Sequence, residues 1–119
     1  MIEGSARSRF QRGSARKLGR VADLIRGRDV PYAMKVLAFL AKPSKAPVQK
    51  TLRSAVANAI TKAGKAKLKE EDLVVADVQV TTGPIMKRWQ PGPRGMASII
   101  RRRMCHVFVR VVTREGVKV

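Results

Sequence analysis

Apolar residues along this chain keep two different periods, and the change between them falls just past residue 72. Up to there the spacing is helical. Leu18, Val21, Ala22 and Ile25 recur at i, i+3, i+4 and i+7, with Ser14 placed as an N-cap and Gly27 as a stop. A second helix is predicted from Asp29 near the cap and Pro31 in the first turn, with Ala33, Val36, Leu37 and Leu40 on one face until Pro43. The third follows Ser44 and Pro47, carries Val48, Leu52, Ala55, Val56 and Ala59 as a stripe, and ends at Gly64. Small residues in "SAVANAI" let a neighbour approach closely, so this is the expected central packing helix. Residues 65 to 72 read as a charged, solvated turn.

Beyond the turn the period drops to two. "LVVADVQVTT" sets Val74, Ala76, Val78 and Val80 on one face, and "MCHVFVRVVTR" does the same for Cys105, Val107, Val109 and Val111. Some twenty residues separate these strands, too many for a tight turn. Ile85, Met86, Ile99 and Ile100 are the types that continue a ladder outward, and Pro91, Gly92, Pro93 and Gly95 supply the reversal. At ~3.3 Å per residue, about ten residues each way make an arm of roughly 30 Å. "SARSRF" near the amino terminus adds a short third strand. The expectation is one α+β domain over residues 1–119, its body spanning about 5–82 and 104–115 and its arm about 83–103. A two-stranded ribbon of that length is marginal alone in water, so a partner must hold it.

Charge says what kind of partner. The chain carries 26 Lys and Arg against 8 Asp and Glu, a formal +18. That excess repels itself in a compact state and calls for a polyanion, nucleic acid by default. Arg7, Arg9, Arg12, Arg16, Lys17 and Arg20 form one acid-free block; Lys87, Arg88, Arg94, Arg101, Arg102, Arg103, Arg110 and Arg114 form another. The two blocks flank a more neutral middle, as though two parts of one surface meet the same polyanion. A membrane surface is disfavoured because the densest basic stretch is rich in Pro and Gly, and no apolar run nears the ~20 residues that span a bilayer. "MIEGSARSRF" lacks a secretory core, and a single cysteine fits a reducing compartment.

The side chains with chemistry to offer are few. Lys87, Arg88, Arg101, Arg102 and Arg103 decorate both faces of the arm; a solvated charge run is the ordinary reading of such a cluster, but like charges facing across a ribbon destabilise it without counter-charge, which favours phosphate contact. Trp89 beside the tip has little protein to pack on, so stacking on RNA is preferred to core packing. His106 is read as contacting RNA or satisfied by backbone, Cys105 as a small buried hydrophobe, and Met86 and Met96 as gap-fillers. His106 and Cys105 are adjacent and therefore point to opposite strand faces. No catalytic residue, metal site or cofactor motif is expected.

"SARKLGRVADLIRGRDVPYAMKVLAF", "LRSAVANAI" and "GPIMKRWQPGPRGMASIIRRRMCHVFVRV", in that order, resemble the bacterial-type large-subunit ribosomal protein L-twenty-two family from about Ser5 to Glu115. The resemblance implies three helices packed on a small three-stranded antiparallel sheet, with a long protruding hairpin. It implies 23S-type rRNA and neighbouring large-subunit proteins as partners, a role in subunit assembly and no enzymatic activity. It also implies a hairpin tip, Gln90, Pro91, Gly92, Pro93, Arg94, Gly95 and Met96, lining the nascent-peptide exit tunnel. By position the resemblance carries over Lys87, Arg88, Arg101, Arg102 and Arg103 as arm residues against rRNA; with those read from charge and side-chain chemistry, the expected rRNA-binding set is Arg7, Arg9, Arg12, Arg16, Lys17, Arg20, Lys87, Arg88, Trp89, Arg94, Arg101, Arg102, Arg103 and His106. The implied place is the large subunit of a cytoplasmic ribosome, with an organellar one left open, and the chain is expected to act as one copy without membrane or cofactor. The tip departs from the family: "PGPRGMA" has Gly92, Pro93 and Met96 where Arg, Ala and Arg are usual. Two rivals stand beside this reading, an architectural DNA-binding protein whose basic arms wedge the minor groove and a cationic membrane-active polypeptide.

Overall fold

The computed structural model describes residues 2–64 and 68–114. In chain order these form strand β1 (Glu3–Arg12), helices α1 (Ala15–Ile25), α2 (Val30–Phe39) and α3 (Lys45–Ala63), a 3₁₀ turn (Glu70–Asp72), and strands β2 (Leu73–Pro91) and β3 (Ala97–Thr113) joined by a second 3₁₀ turn (Pro93–Gly95). The three strands make one antiparallel sheet in the order β1-β3-β2. β1 is longer than the "SARSRF" segment and begins at Glu3.

All three helices arise as the apolar spacing predicts. Leu18, Val21, Ala22 and Ile25 of α1 are buried, as are Val48, Leu52, Ala55, Val56 and Ala59 of α3. In α2, Val30, Ala33 and Leu37 are buried while Val36 and Leu40 are half-buried at the margin. α3 packs across β1 and β3 and α1 against β2, so the helices cover one face of the sheet. The small-residue stripe allows this closeness: a Cβ added to Gly4 of β1 would lie 2.6 Å from the Ala55 carbonyl oxygen and from Ala59. Thr51, buried within α3, donates to the Pro47 carbonyl at 2.7 Å and shares a hydrogen bond with the Ser8 hydroxyl of β1 at 2.7 Å.

The β3 face is as expected, with Cys105, Val107, Val109 and Val111 fully buried. On β2 the expectation is half right. Leu73, Val75 and Val78 are buried, while Val74 and Ala76 are not. The cause is a bulge: Val75 pairs with Val111 but Asp77 with Arg110, so one extra residue at Ala76 shifts the side-chain parity from odd to even. The segment before β2 also differs from a fully solvated turn, since Leu68 is buried in the core; residues 65–67 lie outside the described part.

β2 is an edge strand, and its open side is covered near the start. Gly27 donates to the Val75 carbonyl at 3.0 Å, Val75 donates to Arg28 at 2.9 Å, and Arg26 holds the Val78 carbonyl through Nε and Nη2 at 3.2 and 2.6 Å. The α1–α2 turn therefore blocks unwanted strand addition there.

Past Val78 on β2 and before Cys105 on β3 no residue is buried, yet the ladder runs on to Pro91↔Ala97. This is the arm. The molecule measures 69 × 24 × 15 Å, and its radius of gyration of 17.8 Å exceeds the roughly 13.5 Å of a compact chain of this length. At the tip Gly92 donates to the Met96 carbonyl and Met96 to that of Pro93, with Arg94 and Gly95 both in left-handed backbone (φ 58° and 72°).

Candidate nucleic-acid interface

The arm's pleat sorts its cations. Cross-strand partners share a face, so Lys87↔Arg101 and Ile85↔Arg103 lie on one side, and Met86↔Arg102 and Arg88↔Ile100 on the other. Both sides are charged, as the sequence implies. Lys87 and Arg101 oppose each other directly, a like-charge pair that costs stability unless an anion sits between them. The remaining three each face an apolar chain across the ribbon.

The two basic blocks, far apart in sequence, meet at the root of the arm. β1 ends at Arg12 beside the arm strands, and Gly13, in left-handed backbone at φ 139°, donates to the Arg103 carbonyl at 3.1 Å. One groove of about 640 Å³ is lined by Arg12, Gly13 and Ser14 from the first block and by Met86, Arg88, Arg101, Arg102 and Arg103 from the second. A second of about 460 Å³ lies on the α1 side, between Arg16 and Lys17 at the helix start and Ile85, Arg103 and Met104. Neither contains a carboxylate. The helix N-terminus adds its own partial positive charge to this cationic cleft.

Other predicted residues fall elsewhere. Arg20 lines neither groove. Arg94 sits at the tip, and Trp89 is 66% exposed near it with no core to join. Arg7, Arg9 and His106 lie on the outer face of the body sheet, away from the helices, around a third groove with Phe10, Gln79, Thr81 and Phe108. His106 Nδ1 accepts the Phe10 N–H at 3.0 Å, so the histidine is satisfied by backbone. Sequence reasoning missed Phe10 and Phe108; the signal was an aromatic between cations in "RSRFQR".

Electrostatic neutralisation inside the chain is slight. Among the described residues the ion pairs are Arg26–Asp23 at 2.5 Å and Arg110–Glu3 at 3.4 Å, both exposed and neither in the arm. Cys105 is buried, and desolvation pushes its thiol above the usual range, which keeps it a hydrophobe. No cluster of metal-ligating side chains occurs among the described residues, and no helix there is long and apolar enough to cross a membrane.

Fold and surface together define a class: a small α+β body bearing a cationic ribbon. The comparison with known families then fixes it more narrowly, because residues 6–112 match the family described as ribosomal protein L22p/L17e. The chain belongs to that family, and its role is that of a structural ribosomal protein, not an enzyme. It is 41% identical over 110 residues to the large ribosomal subunit protein uL22 of Fusobacterium nucleatum, covering 92% of this chain and 96% of the relative. It is 38% identical over 119 residues to that of Bifidobacterium longum (98% and 100%) and 44% identical over 115 residues to that of Pseudothermotoga lettingae (97% and 81%).

Proposed function

We propose that this chain is a constituent of the large ribosomal subunit that binds 23S-type rRNA, supports subunit assembly, and lines the nascent-peptide exit tunnel with its hairpin tip. One observation carries the reading: two acid-free basic blocks converge at the root of an arm that has no core of its own. An arm built this way needs closely spaced phosphates on both faces, and packed rRNA helices supply them. Arg12, Arg16, Lys17, Lys87, Arg88, Arg101, Arg102 and Arg103 hold the root and shaft, with Arg7, Arg9, Arg20 and His106 as contacts from the body. Trp89 and Arg94 act near the tip, and Gln90 to Met96 face the nascent polypeptide. Neighbouring large-subunit proteins complete the surroundings, in the cytoplasm, as the bacterial relatives support. The chain acts as one domain, body and arm, in a single copy.

Specificity comes from RNA shape more than from base edges, and affinity follows counterion release. Deleting residues 85–100 tests this. The shortened chain should keep its helical circular dichroism and cooperative melt while losing most of its affinity for large-subunit rRNA. Loss of the helical signal would make the arm part of the core and end the proposal.

A further inference from the structure

We propose that the outer face of the body sheet holds one unpaired RNA nucleotide, stacked on Phe10 and Phe108, as a site separate from the arm. The inference rests on the rRNA-binding reading above and adds to it a place and a mode of contact.

Two cross-strand rows build the site. Arg7, Phe108 and Gln79 are partners across β1, β3 and β2; His106 and Thr81 pair in the next row, with Phe10 beside them at the bulge in β1. They surround a groove of about 340 Å³, at the small end of ligand clefts and suited to a single flat ring. The bulge lies between Ser8 and Gln11 and puts Phe10 at φ 57°, a left-handed backbone that strains a bulky side chain. The result of that strain is an aromatic ring 57% exposed, standing edge-on to the His106 imidazole with centroids 5.1 Å apart. Because His106 Nδ1 accepts the Phe10 N–H, Nε2 is left as the ring's own N–H donor. On the other side the Arg7 guanidinium lies over Phe108, 5.2 Å from the ring centroid.

Aromatic platforms beside guanidinium groups on an open sheet suit an unpaired base and its phosphate. A protein partner fits less well. The carboxylates on this face, Glu3 and Asp77, do not line the groove: Glu3 pairs with Arg110, and Asp77 accepts from Gln79 at the margin, so the charges in the lining itself are those of Arg7 and Arg9. A peptide would have to be acidic and aromatic-seeking at once, whereas one nucleotide brings both properties.

The test uses the full chain and a mixed-sequence single-stranded RNA 12-mer, read by fluorescence anisotropy over a range of salt. Phe10→Leu with Phe108→Leu keeps apolar side chains at both positions and a β-unbranched residue at the bulge. This double variant should bind the 12-mer about ten-fold more weakly with the salt slope unchanged, since no cation is lost. Its affinity for the same sequence as a duplex should match that of the parent. Equal binding of the single strand by both proteins, each folded by circular dichroism, overturns the proposal. A photocrosslinker placed at Gln79 in assembled large subunits serves if the double variant fails to fold. An rRNA adduct supports the site, and an adduct on protein or none at all refutes it. A crosslinker at Trp89 reports on the arm alone, so failure of the ribosomal reading is seen separately.

Discussion

β2 and β3 run through both halves of this molecule, and the two halves treat the same ladder in opposite ways. In the body every second β3 residue from Cys105 to Val111 is sealed beneath α1 and α3. In the arm the same strands carry Ile85, Trp89 and Ile99 with 42–66% of their surface exposed, among five cations. The β2–β3 pairing runs through both regions; what differs is that β1 and the helices cover it only in the body. The lesson is that a continuous ladder does not make a continuous fold. The body is held by apolar burial, while the arm has no buried residue of its own.

Removing charge from one half should separate them most widely. Changing Lys87, Arg88, Arg101, Arg102 and Arg103 to Gln should lower affinity for large-subunit rRNA by on the order of 10³-fold at moderate salt and flatten the log-log salt slope by about four. The body's melt should not fall, because like-charge repulsion is relieved. The converse change is Leu52→Ala in α3, where the side chain is fully buried: it should cost about 2–5 kcal/mol in denaturant unfolding and leave arm amide exchange unaltered. A shift in exchange at Ile85 to Ile100 would show that the two halves unfold together.

Smaller effects sharpen the contrast. Gly19 lies inside α1 with nothing near enough to meet an added Cβ, so Gly19→Ala should stabilise the body by about 0.5–1 kcal/mol and leave RNA affinity alone. Cys105 gives the least. Its thiol is raised by burial, so the folded chain holds its proton at pH values where the unfolded chain has begun to lose it. Stability should be flat below the ordinary thiol range and decline as pH rises through it, a slope that Cys105→Ala removes. Alkylation should likewise proceed only through global unfolding.

Much of this was legible beforehand. The three helices follow from the spacing of Leu18 to Ile25, Ala33 to Leu37 and Val48 to Ala59, because a 3.6-residue period admits one buried face. The arm follows from Ile85, Met86, Ile99 and Ile100 as ladder-forming types on either side of the reversal at Pro91, Gly92, Pro93 and Gly95, with cations accumulating among them. The opposite directions of Cys105 and His106 follow from their adjacency on a strand. So does the family, since "DLIRG", "SAVANA" and the arm's motifs occur in the chain itself.

Tertiary structure alone decided the places where one residue too many enters a strand. The bulge at Ala76 moved the buried set of β2 from Val74 and Ala76 to Leu73 and Val75. Another, between Thr82 and Ile85, restores the odd residues of β2 to the helix side, which puts Lys87 and Arg101 on one face of the arm. A third at Arg9 and Phe10 turned an unremarked aromatic outward. Bulges leave little trace in composition or period because they depend on which strand lies opposite. The meeting of Arg12 with Arg101 to Arg103 has the same origin: nearly ninety residues of chain separate them, and only the pairing of β1 with β3 brings them to one cleft.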